Sequence, residues 1–212
     1  MKYLIVGASS GLGKEIAKKF AKESNDLVII SRDTRDLNVL KSDLEIKYKV
    51  KIDVLTLDFS SIEEIDKKLL LNQNLLENLD GVIFPIGMMF NEDNLNLNSE
   101  NIQKLINANF ISIAHTINRL KIKLIENKNS CIIGFGSVSG FIGRGINVTY
   151  AGAKRGLESY FESMAFDKDF KKINIQFYTL GYLETNLSFG KDLKLPRSSV
   201  KKLSNIVYKN KN

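Results

Sequence analysis

The sequence predicts an α/β fold in which a parallel sheet carries helices on both faces. Two observations lead there. Short apolar runs alternate with stretches of helical period at least six times along the 212 residues, and that alternation calls for parallel strands joined by crossover helices. The first strand and helix are also joined by a glycine-rich turn, Gly7-Ala8-Ser9-Ser10-Gly11-Leu12-Gly13. Such a turn lets the backbone approach a phosphate, and the free amides of the following helix favour negative charge.

Composition narrows the function. Hydrophobic residues make up 43% and charged residues 26% of the chain, ordinary values for a globular protein. The length suits one domain over residues 1–212. Cys131, the single cysteine, sits in an apolar run and reads as a core residue of a reducing compartment. With His115 the only histidine, no metal cluster is expected. No apolar run approaches the roughly 20 residues that span a bilayer. The opening Met1-Lys2-Tyr3-Leu4-Ile5-Val6 is too short for a signal-peptide core. The expected compartment is the cytoplasm, without membrane attachment. Net charge is +7 and the isoelectric point about 9.3. The lysines are interleaved with Glu and Asp, and no block of like charges forms. They read as solvated faces, not as a nucleic-acid site. An anionic cofactor or substrate would suit this balance.

In chain order, Lys2 to Val6 is the first strand and the segment from Lys14 the first helix, with Ile16, Ala17, Phe20 and Ala21 on one face. Leu27 to Ile30 is the second strand, ending in Ser31-Arg32-Asp33, and Leu37 to Tyr48 a helix. Ile52 to Leu57 is the third strand, followed by Asp58-Phe59. Asp58 could cap the helix that starts near Ser60-Ser61-Ile62. Asp80 to Ile86 is the fourth strand. Met88, Met89 and Phe90 after it could line an apolar pocket or pack as core. Asn91 to Asn101 is an Asn-rich loop. Ser99 with Gln103 marks the start of a long helix running to about Glu126.

Cys131-Ile132-Ile133 is a buried strand. A loop carrying Gly134, Gly136, Gly140, Gly143 and Gly145 is expected next, then a helix from Val148 to Lys168. Tyr150 and Lys154 are four apart, on one face of that helix. A free phenol has a pKa of about 10 and exchanges protons poorly near neutrality. An ammonium one turn away is expected to lower it. Ser137 can offer a hydroxyl to the same space, so the three could bind a carbonyl oxygen and move a proton. Ile173 to Thr179 is the sixth strand, 187–197 a substrate loop, and Ser198 to Lys209 a closing helix.

Ser137 lies 13 residues before Tyr150-Ala-Gly-Ala-Lys154, and the N-terminal turn has the spacing G-x-x-x-G-x-G. Together these motifs resemble the short-chain dehydrogenase/reductase family over nearly the whole chain, from Gly7 to Thr185. The resemblance implies a doubly wound, Rossmann-type domain and a carbonyl–alcohol oxidoreductase acting on a small molecule. It implies Tyr150 as general acid/base, Lys154 and Ser137 as its partners, and Asn109 as the residue linking Lys154 to solvent. Gly7, Ser9, Ser10, Gly11, Leu12 and Gly13 would hold the dinucleotide with Ser31, Arg32, Asp58, Phe59, Gly87, Tyr150, Lys154, Gly181, Leu183 and Thr185.

Arg32 at the second strand's tip points to NADP(H), with NAD(H) the alternative, because an Arg there accommodates a 2′-phosphate. The family's Asn-Asn-Ala-Gly is here Phe84-Pro85-Ile86-Gly87, which keeps only the glycine. Leu180 replaces the proline of the family's Pro-Gly-x-x-x-Thr. Relatives carry a seventh strand that this sequence lacks. They also pair as homodimers through two helices, here the face around Ile106, Phe110 and Ile113 and the face opposite Leu157 and Phe161. The alternative reading is a cofactor-binding regulatory or scaffold protein of the same fold that has lost turnover.

Overall fold

A computed structural model describes residues 1–91, 93–127, 129–142, 145–183 and 198–211. Six strands form one parallel sheet: β1 (Lys2–Val6), β2 (Asp26–Ser31), β3 (Ile52–Thr56), β4 (Gly81–Phe84), β5 (Cys131–Ser137) and β6 (Asn174–Leu180). Their order is β3-β2-β1-β4-β5-β6. The chain winds outward from β1 on both sides, so the connections diverge between β1 and β4. In open α/β sheets ligands bind at such a switch point, beyond the carboxyl ends of the strands.

Residue alternation along each strand splits the core into two layers. Leu4, Val6, Val28, Ile30 and Ile132 face α3 (Ile62–Leu71), α5 (Ser112–Glu126) and α6 (Val148–Met164). Tyr3, Ile5, Leu27, Ile29 and Ile133 face α1 (Gly11–Lys22), α2 (Thr34–Tyr48) and α7 (Val200–Asn210). The helix expected from Ser99 to Glu126 is instead three pieces end to end. They are α4 (Ser99–Ile106), a π-helical turn over Asn107–Ile111, and α5.

Several local expectations change. Gly134 and Gly136 belong to β5, not to a loop. A Cβ on Gly134 would lie 2.5 Å from Phe161 Cζ, and one on Gly136 2.5 Å from Phe177 Cε1, so aromatic rings occupy the space a side chain would fill. The α3 cap is Ser61, whose Oγ accepts from Glu64 N at 3.2 Å. Asp58 does not cap α3: its Oδ1 accepts from Ser60 N and Ser60 Oγ instead. Ile113 is a core residue rather than part of an outer pairing face. Phe110 packs on Tyr160, with ring centroids 6.2 Å apart.

Candidate active site

A cleft of about 840 Å³ opens at the carboxyl ends of the strands. That volume lies within the roughly 300–1,000 Å³ usual for small-molecule sites. The turn after β1 forms one wall. Gly7 has φ 88, a conformation that favours glycine. A Cβ on Gly13 would meet the Gly7 carbonyl oxygen at 2.0 Å, so α1 sits directly against the turn. Ser10 precedes α1 with extended backbone and makes no side-chain cap, and no acid lies in the first turn. The amides of that turn are thus left to an external anion. This cradle fits a dinucleotide pyrophosphate.

Next to it, Ser31 Oγ donates to Ser9 Oγ at 2.8 Å, tying β2's tip to the turn. Arg32 is exposed and lines the cleft. Asp33 faces away: it caps α2, its Oδ1 accepting from Asp36 N at 2.9 Å. Asp58, Phe59 and Gly87 also line the cleft, as do Ser10, Gly11, Leu12, Gly181 and Leu183. Thr185 and the 187–197 segment lie outside the described residues.

Ser137, Tyr150 and Lys154 line the same cleft. Ser137 ends β5, and its Oγ accepts from Ser139 N at 3.2 Å. Tyr150 and Lys154 project from the first two turns of α6. Lys154 is 3% exposed. Its ammonium donates to the carbonyl oxygens of Ile86 at 3.2 Å and Phe135 at 3.0 Å, bridging the ends of the two central strands on that side. Burial pushes its pKa from 10.5 down to about 8.

Tyr150 departs from expectation. Burial raises the phenol's pKa above its ordinary value, and the adjacent Ser137 hydroxyl pulls it the other way. The Lys154 nitrogen sits 6.0 Å from the Tyr150 ring centroid. With its donors turned to carbonyls, desolvation outweighs the ammonium's attraction for a phenolate.

Asn109 does not line the cleft. It is fully buried in the π-helical turn, where such irregular turns let a side chain point inward. Its Oδ1 accepts from Met88 N at 3.2 Å, and its Nδ2 donates to Met88 O at 2.8 Å and Leu105 O at 2.9 Å. It therefore clamps the segment after β4, just where the sequence lacks the paired asparagines expected there. Sequence reading missed Asp93, which is 1% exposed. Its carboxylate accepts from Thr149 N and Tyr150 N, each at 2.8 Å. The partners lie 56 and 57 residues away, so no local pattern announces the contact.

Among the described residues no group of three or more His, Cys, Asp or Glu could hold a metal ion. No described helix is long and apolar enough to cross a membrane. His115 Nε2 lies 2.9 Å from Asp66 Oδ1 on the α3–α5 surface, far from any ligand role in the cleft.

Three comparisons bear on this geometry. The family model described as short chain dehydrogenase matches residues 2–194. A very-long-chain 3-oxoacyl-CoA reductase of Vanderwaltozyma polyspora is 28% identical over 199 residues, covering 86% of this chain and 55% of that protein. The chain thus spans about half the length of that relative. An inactive hydroxysteroid dehydrogenase-like protein 1 of Homo sapiens is 24% identical over 194 residues, covering 87% of this chain and 56% of that protein. Among solved structures, a short-chain dehydrogenase from Sphingobium yanoikuyae in complex with NADPH superposes with a TM-score of 0.87 at 22% identity. It covers all of this chain and 85% of the other.

Proposed function

The chain belongs to the short-chain dehydrogenase family, and on that premise we propose that it is an NADP(H)-dependent oxidoreductase interconverting a carbonyl and an alcohol. One observation carries the proposal: Ser137, Tyr150 and Lys154 share a single cleft with the open glycine turn. When bound, a nicotinamide cofactor supplies the hydride. The protein's own residues orient the carbonyl and handle the proton.

The Ser137 hydroxyl donates to the carbonyl oxygen, where negative charge builds as the bond order falls. The Tyr150 phenol carries its proton at neutral pH, as any phenol of ordinary pKa does, and burial shifts it further that way, so it serves as the general acid in reduction. Lys154, with a pKa of about 8, gives up a proton close to neutrality and can return one to the phenol. Asn109 acts on this site by holding Met88.

For the nucleotide, Arg32 is an exposed cation lining the cleft next to the Ser9–Ser31 pair, and Asp33 caps a helix. That arrangement favours a 2′-phosphate over a bare ribose hydroxyl, so NADP(H) is the preferred cofactor. The Sphingobium neighbour, similar in fold, holds NADPH.

The second reading is a nucleotide-binding protein without turnover. The absent Asn pair and the human relative named as inactive favour it. The test is NADPH oxidation against a panel of aldehydes and ketones, with Tyr150→Phe as control. Turnover by the wild type, lost in Tyr150→Phe with NADPH binding kept, is the expected result. Binding without turnover across the panel, or equal turnover in Tyr150→Phe, rejects the enzyme mechanism.

A further inference from the structure

The start of α6 is held by a residue far from it in sequence. Asn147 precedes the helix in left-handed backbone, φ 60, and its side chain makes no cap. No acid lies in the first turn. Three of the turn's amides instead meet Asp93. Its carboxylate accepts from Thr149 N and Tyr150 N at 2.8 Å each, and its backbone carbonyl accepts from Val148 N at 3.0 Å. A buried carboxylate on free helix amides makes short, charge-assisted hydrogen bonds. The segment carrying Asp93 is itself anchored at its other end, where Asn109 grips both backbone groups of Met88. Met89, Phe90 and Leu97 of this segment pack on Leu105, Tyr150 and Ala153.

We propose that Asp93 is a positioning residue for Tyr150, fixing the height and rotation of the first turn of α6 so that the phenol meets Ser137 in the cleft. The proposal rests on the reading of Tyr150 as the proton-transferring group. Asp93 does not touch the cleft, so it acts only through the helix. A cap that served stability alone would leave the chemical step as it is. A cap that places the phenol controls that step, because catalytic geometry tolerates little displacement.

The experiment compares full-length wild type with Asp93→Ala and Asp93→Asn. It measures kcat for NADPH-dependent reduction, NADPH affinity, and the ring signal of Tyr150 by NMR. Asp93→Ala should lower kcat by about 10- to 100-fold, while NADPH affinity stays within about twofold. Asp93→Asn keeps one acceptor oxygen and should recover part of the loss. If Asp93→Ala does not fold, Asp93→Asn carries the same split at smaller size. A wild-type kcat in the folded variants, or kcat and NADPH affinity falling by the same factor, overturns the proposal. If the wild type reduces no carbonyl, the proposed function fails and the NMR arm decides alone. A Tyr150 ring signal that moves in Asp93→Asn while Tyr3 and Tyr208 stay put supports positioning, and an unmoved Tyr150 signal overturns it.

Discussion

Replacing Lys154 by Met should change how stability depends on pH, and in a direction that burial dictates. In the folded chain the ammonium is enclosed and its pKa falls from 10.5 to about 8. Below that folded value the lysine is protonated in both states, and the cost of enclosing the charge is fully present. Between the folded and unfolded values the native state has released its proton while the unfolded chain keeps it. The unfolded state then binds more protons, so stability rises with pH across that window. At about 1.36 kcal/mol per pH unit, the full depression corresponds to about 3 kcal/mol. Integrated from about pH 7 to about pH 9.5, the gain for this one group is about 2 kcal/mol.

Tyr3, Tyr150 and Cys131 work the other way. Burial raises their pKa values, so they lose stability as alkali ionises the unfolded chain. They are common to both proteins, and the difference between wild type and Lys154→Met cancels them. The measurement is urea unfolding of both proteins without nucleotide. The wild type should gain about 2 kcal/mol on the variant between about pH 7 and about pH 9.5. Parallel stability curves would show that Lys154 is not held in a desolvated site and would refute the reasoning.

Two further outcomes follow from the geometry. Gly134→Ala puts a Cβ 2.5 Å from the Phe161 ring, in the layer where α6 meets β5. Overpacking of this kind costs about 1–3 kcal/mol, and a chain of this size should lose about 2–4 °C in Tm for each kcal/mol. An unchanged Tm in a calorimetric scan would mean that α6 stands further from the sheet. Arg32→Ala removes the exposed cation at β2's tip. A charged hydrogen bond contributes about 1.5–3 kcal/mol, so NADPH affinity should fall by about tenfold or more while NADH affinity holds. Equal loss for both nucleotides in a fluorescence titration would remove the basis for the NADP(H) preference.

What the sequence revealed and what it hid separate along one physical line. Interactions between near neighbours were readable. Apolar alternation marked the strands, and the Gly7–Gly13 spacing marked the turn that β1 and α1 build. The i, i+4 spacing of Tyr150 and Lys154 brought them to one face of α6. Contacts that close only in the folded chain were not readable. Gly134 and Gly136 looked like loop residues because glycine is a poor strand former, yet the rings of Phe161 and Phe177 leave no room for anything larger. Asp93 sat in an Asn-rich stretch that resembles any polar loop, and its role exists only once α6 is brought back beside it. Asn109 was singled out by resemblance, but its grip on Met88 appears only with the π-helical turn.

The same distinction separates the proton chemistry that residue types suggest from the one the fold produces. Charge signs can be read from a sequence, and an ammonium near a phenol argues for an acidic phenol. Burial cannot be read that way, and here it outweighs the charge. It acts oppositely on the two groups, because it penalises whichever form is ionised. In water the lysine, at 10.5, holds its proton slightly more tightly than the tyrosine, at 10.0. In the cleft the lysine falls to about 8 and the tyrosine rises, so the order is inverted. On the proposed mechanism, a proton given up by Tyr150 to a nascent alkoxide is replaced downhill from Lys154. On that mechanism, the dry interior that makes Lys154 costly to fold also sets the direction of the relay. A substitution that admitted water to the Ile86 and Phe135 carbonyls would ease the first effect and weaken the second.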